Sequence, residues 1–158
     1  MRANTYAIID EPRPGALQKW VVNPIWPFFA LMFAGSWLAL PWFAFNGVAM
    51  GSATRRRELL VVLLATPLKV GLAIFMLMLH RKTGLPDEAL RYFLVVVMTL
   101  KLGLGYWLFN LQQPSFNLYQ YFDGPVRNGV FVVMGGALVH EPVMDLFGSN
   151  WLLRMLPW

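Results

Sequence analysis

Two lysines occupy apolar surroundings where a cation has no ordinary place: Lys69 in "LKVGL" (68–72) and Lys101 in "LKLGL" (100–104). An ammonium group at depth in hydrocarbon can select an anion, relay a proton or neutralise a buried carboxylate. It costs about 3 kcal/mol on insertion scales and above ~10 kcal/mol in simulation. Two such groups at one depth also repel. An acidic partner, a deprotonated amine or a wet cavity is therefore expected beside them. Glu141 and Asp145 are the carboxylates in reach of that role, and they share a helix face if the helix runs on through Pro142. Lys69, Lys101, Glu141 and Asp145 are expected as an ion or substrate pathway, or else as a buried ion-pair network.

The flanking residues repeat as well. Gly71 and Gly103 follow the two lysines at the same offset, and Pro67 precedes Lys69 by two. Small residues let helices approach closely in lipid. Pro67 leaves the Leu63 carbonyl without its intrahelical donor. A kink is expected around Pro67, Gly71 and Gly103, serving either plain packing or a substrate site.

The elements that must carry these residues follow from composition. The chain has 158 residues, 58% hydrophobic, 15% aromatic and 13% charged, where a soluble domain is about a quarter charged. Lipid is the expected solvent for most of it, in a cell inner membrane. A polar tail (1–22) precedes a single transmembrane domain (23–158). The tail lacks the basic-then-apolar layout of a cleavable signal, so the first span is expected to be retained as an anchor. The net charge of +5 sits in short clusters beside apolar runs, which does not describe a nucleic-acid surface. Cysteine is absent, which excludes disulfides, thiolate metal sites and thiol catalysis.

A helix needs roughly 20 apolar residues to cross a bilayer core. Three stretches reach that length: 26–48, with a bend expected at Pro41, 58–79 and 89–111. Residues 110–129 read as an interfacial connection carrying Phe116, Tyr119, Tyr121 and Phe122. The ten apolar residues at 130–139 begin a kinked fourth span or a re-entrant half-helix followed by a Trp-rich interfacial helix. The expected fold is all-α: a polytopic integral membrane protein of three to four transmembrane helices, with the aromatic connection before its last segment. Lys69 and Lys101 each lie sixteen residues from Leu85, the centre of the turn between spans 2 and 3, so an antiparallel pair sets them at one level.

Orientation stays open. With four spans, Arg2, Arg13, Lys19, Arg81, Lys82, Arg91 and Arg154 fall on the N-terminal side, against Arg55, Arg56, Arg57 and Arg127, favouring a cytoplasmic N-terminus. The charges flanking the first span argue the reverse.

Other constellations are thin. His80 and His140 fall at different depths for a bis-histidine haem, and "HEP" (140–142) lacks the second histidine of a zinc protease. Ser36 has no nucleophile elbow and reads as a packing residue. No metal and no cofactor are expected. "FNGVAMGSATRRRELL" (45–60) forms a basic turn in which Arg55, Arg56 and Arg57 suit a lipid headgroup or a partner's acidic surface.

The leading functional expectation is a non-enzymatic scaffold, assembly or accessory subunit of a larger or homo-oligomeric membrane complex. Its partners are then the bilayer and other membrane subunits. The alternative is an ion, proton or anion channel or transporter using the two lysines. A further alternative is an interfacial lipid-acting enzyme built on His140, Glu141 and Asp145.

Overall fold

The computed structural model describes residues 15–84 and 86–146, and every regular element among them is helical. A 3-10 turn at Gln18–Trp20 leads into α1 (Ile25–Phe33), α2 (Ser36–Met50), α3 (Arg55–Thr83), α4 (Asp87–Tyr121) and α5 (Val130–Leu146). Residues 1–14 and 147–158, with the tail's Arg2 and Arg13, Arg154 and the expected Trp-rich helix, lie outside the described residues.

The first apolar stretch does not cross as one helix. It reverses at Ala34–Gly35, where Gly35 adopts φ 94° and ψ 175°, a backbone region essentially closed to residues with a Cβ. Two observations fix the reversal. The Val22 amide, just ahead of α1, donates to Asn46 Oδ1 near the end of α2 at 3.0 Å. Val21 also packs with Ala49 and Met50 in one buried cluster. Helices α1 and α2 are therefore an antiparallel hairpin that starts and finishes at the same end of the molecule. The expected span at 26–48 is corrected accordingly. Pro41, where a bend was expected, lies within α2, and the break falls at the glycine.

Gly51 closes α2 in the left-handed conformation (φ 69°) and turns the chain into α3. Helix α3 continues through Pro67 to Thr83, with Arg81 and Lys82 in its last turn, where cations complement the helix dipole. Helix α4 passes through Pro114 and ends at Tyr121. The expected interfacial connection is thus corrected over 110–121, which is helix. Its aromatic residues also divide: Phe116 and Tyr119 are buried, whereas Tyr121 and Phe122 are exposed. The reason is periodicity, because Leu108, Gln112, Ser115, Phe116 and Tyr119 form one buried stripe.

At 1.5 Å per residue, α3 and α4 extend roughly 40 and 50 Å. Among the described residues they are the two helices long and apolar enough to cross a membrane. Helices α1 and α2 have 9 and 15 residues, each short of a full crossing, and α5 has 17 described residues.

Helix α1 is antiparallel to α4, with Leu31 against Gly105 and the Phe28 and Phe109 rings 6.2 Å apart. It is parallel to α5: Trp26 faces Gly129, and Ala34 faces Gly136. One end of the bundle therefore gathers the described residues ahead of α1 (15–24, the N-terminal strap), the α2–α3 turn and the α4–α5 connection. There the Arg127 amide donates to Val21 O at 2.8 Å, and the Tyr119 hydroxyl donates toward Gln18 O and Pro125 O at 3.2 and 3.1 Å. We call it the base. The α3–α4 connection lies at the far end.

Replacing Gly35 with Ala forces a Cβ into that backbone region and is expected to cost about 1–3 kcal/mol. Thermal unfolding in detergent reads the loss, and a melting temperature equal to that of the native protein would refute the strained reversal.

Candidate functional site

A buried polar clamp near the base sets the register of three helices. Glu58, in the first turn of α3, is 0% exposed. Its Oε1 accepts from the Ser52 and Thr54 hydroxyls, both at 2.6 Å, and its Oε2 accepts from Gln112 Nε2 of α4 at 2.8 Å. Gln112 Nε2 also donates to Phe43 O of α2 at 2.7 Å, and Gln112 Oε1 accepts from Asn46 Nδ2 at 3.2 Å. Ser115 Oγ lies 3.2 Å from Ser52 Oγ. The groups that donate to the carboxylate are neutral, and short O–H···O contacts of this kind are the stronger, charge-assisted class. The helix N-terminus adds favourable dipole.

Gly47 makes room for this arrangement. A Cβ there would collide with Glu58 Oε2 and meet Gln112 Nε2 at 3.1 Å. Gly47, Glu58 and Gln112 thus mark one level on α2, α3 and α4.

The two lysines stand on a second level. Ser36, Lys69 and Lys101 each lie eleven residues from Gly47, Glu58 and Gln112 along their own helices, or roughly 16 Å at the helical rise. Lys69 is also fourteen residues from each end of α3. Both lysines are half-buried, and they lie within electrostatic range of each other across the facing helices. The tip of the α1–α2 hairpin reaches this level. Ser36 opens α2 there at 3% exposure. His140 of α5 contacts Ala34 O through Nδ1 at 2.8 Å, and because a carbonyl only accepts, Nδ1 carries the proton. One layer therefore holds a backbone break, a histidine, a buried serine and two lysines.

The remaining expected site residues are placed differently. Glu141 and Asp145 lie on the continuous helix α5, which passes through Pro142, and both are exposed. Helix α5 makes its principal contact with α1. Gly71 and Gly103 have open space where a Cβ would stand, and the close helix approaches fall instead at Gly47, Gly105 and Gly136. Arg55, Arg56 and Arg57 are all exposed at the start of α3. Among the described residues no group of three or more His, Cys, Asp or Glu could hold a metal ion.

Glu58, Gln112, Asn46, Ser52, Thr54 and Ser115 were not identified as a unit from the sequence. The visible signal was faint: a single glutamate after three arginines, and a glutamine ahead of Pro114.

Set against known proteins, the chain matches no family model, no curated protein and no solved structure. What fold and site define is an all-helical chain with two helices apolar enough to span a membrane, a short helical hairpin packed against them, and a polar layer at the hairpin tip.

The glycines give a test with opposite signs. Gly47→Ala should destabilise by about 1–3 kcal/mol, because the carboxylate must move in a packed site. Gly103→Ala, in open space within a helix, should be neutral or stabilise by about 0.5–1 kcal/mol. Paired chemical-denaturation curves decide it, and equal effects at the two positions would contradict the clamp.

Proposed function

We propose that this is a small integral membrane protein that works, without enzymatic activity, as a subunit of a homo-oligomeric or larger membrane assembly. One observation carries the reading. Lys69 and Lys101 remain partly exposed at the middle of α3 and α4, two helices whose apolar stretches bury almost nothing within the single chain. Lipid covers Leu63, Leu68, Phe75 or Val95 at no cost. It is a poor neighbour for the exposed part of a lysine side chain at mid-depth. Lateral association through α3 and α4 removes that exposed surface from hydrocarbon.

A second reading is favoured by the hairpin tip. Non-helical backbone at membrane depth is tolerated where protein or a water-filled cavity surrounds it, and transporters place binding sites where broken helices meet near the midplane. Ala34–Gly35 beside Lys69 and Lys101 fits that pattern and supports an anion or proton pathway built into the same assembly.

Native mass spectrometry of the protein in nanodiscs tests the first reading. The native chain should run as an oligomer or as a stable complex with co-purified membrane subunits, and Lys69→Met with Lys101→Met should shift it toward monomer while circular dichroism stays unchanged. A strictly monomeric native protein sinks it. Proteoliposome flux separates the second: loss of anion or proton flux in the double variant with assembly intact supports a pathway, and absence of flux in the native protein removes it.

A further inference from the structure

We propose that the base of the bundle is a binding surface for anionic phospholipid headgroups of one leaflet, the cytoplasmic one. The hairpin is what creates this surface. Had residues 26–48 crossed as one helix, Lys19 and Arg55–Arg57 would lie on opposite faces of the membrane. With α1 and α2 returning to the same end, Lys19, Arg55, Arg56, Arg57 and Arg127 all stand there, and all five are exposed. The carboxylate nearest this group in sequence, Glu58, is consumed by the clamp and is 0% exposed. Asp123 stays exposed at the same end and offsets one of the five positive charges.

One of these cations, Arg127, is also held in position. The Arg127 Nε donates to Lys19 O at 2.8 Å, and its guanidinium carbon sits 5.0 Å from the Trp20 ring centroid. This cation–π stacking holds the guanidinium against the strap. Around these charges the exposed large side chains include Trp20, Tyr121 and Phe122 beside Leu17, Val48 and Val126. Aromatic rings at headgroup level beside basic side chains form the combination that juxtamembrane segments use on anionic lipid, where each Lys or Arg contributes about 1 kcal/mol. At the far end the described residues supply Arg81, Lys82 and Arg91. The excess of positive charge at the base assigns it to the cytoplasmic side.

The inference is independent of the subunit reading, since it concerns neither α3–α4 contacts nor the lysine layer. Its test uses the full chain in neutral detergent with added lipid. Phosphatidylglycerol should raise the melting temperature by several degrees over an equal amount of phosphatidylcholine, and high salt should erase the difference. Arg55→Gln, Arg56→Gln and Arg57→Gln together, all at exposed positions, should remove at least half of it without altering helix content. Inorganic phosphate at matched concentration should give no shift. Equal protection by the two lipids, protection by phosphate alone, or an unchanged preference in the triple variant would each overturn the proposal. The absence of native cysteine allows a second measurement: Leu17→Cys and Ala53→Cys should react with a membrane-impermeant maleimide from the same, cytoplasmic side of inverted vesicles. Labelling from opposite sides would overturn it as well.

Discussion

The geometry of this molecule depends on where Glu58 keeps its charge. Taking a carboxylate out of water costs several kcal/mol even after relaxation, and here the offset comes from two hydroxyls and an amide supplied by the α2–α3 turn and by α4. The same amide reaches Phe43 O and Asn46, and Asn46 in turn receives the amide of Val22. The chain of contacts therefore runs from the N-terminal strap through three helices. Apolar ridges alone permit a helix pair to slide by a turn. A satisfied polar network does not, because a slip would leave each buried group without its partner at about 1–3 kcal/mol apiece.

That register has a consequence far from the clamp. Helices are stiff rulers, so fixing Gly47, Glu58 and Gln112 at one level also fixes what stands eleven residues further along each of them. Lys69 and Lys101 stand at one level for that reason, and the tip of the hairpin reaches the same level. The matching "LKVGL" and "LKLGL" segments are thus level because of residues that share nothing with the repeat itself. Their glycines, by contrast, face open space among the described residues.

What the sequence made legible was whatever depends on local pattern. Residues 58–79 and 89–111 read as long apolar helices, and α3 and α4 contain them. Periodicity also set Lys69 and Lys101 at matching distances from the turn near Leu85. The reversal at Gly35 was not legible, because Pro41 and Gly35 are both plausible breakers in a continuous apolar run and only tertiary contact at Val21, Val22 and Asn46 distinguishes a bend from a hairpin. The helical course of 110–121 was hidden by Pro114 and by polar residues that look solvated until Gln112 and Ser115 meet partners more than fifty positions away in the chain. The same error divided the charges wrongly. Treating 26–48 as a crossing put Arg55–Arg57 opposite Lys19, and the two ways of counting positive charge then disagreed. Once α1 and α2 return to one end, Lys19 and Arg55–Arg57 fall at the same end of the bundle.

The hairpin tip brings the remaining constraint. A chain that reverses between two short helices leaves carbonyls at the end of α1 and amides at the start of α2 without intrahelical partners, and in the proposed membrane setting these groups sit where water is scarce. His140 satisfies one of them by bonding Ala34 O, and the side chain of Leu38 fills the space over Gly136. Helix α5 thereby acts as the seal of the tip, which accounts for its principal contact being with α1 rather than with the longer helices. This arrangement also orders the two functional readings physically. A seal that stays closed makes the lysine layer part of an assembly surface on α3 and α4. One that opens exposes Ala34–Gly35 and the lysines together, and only then does the layer become a passage.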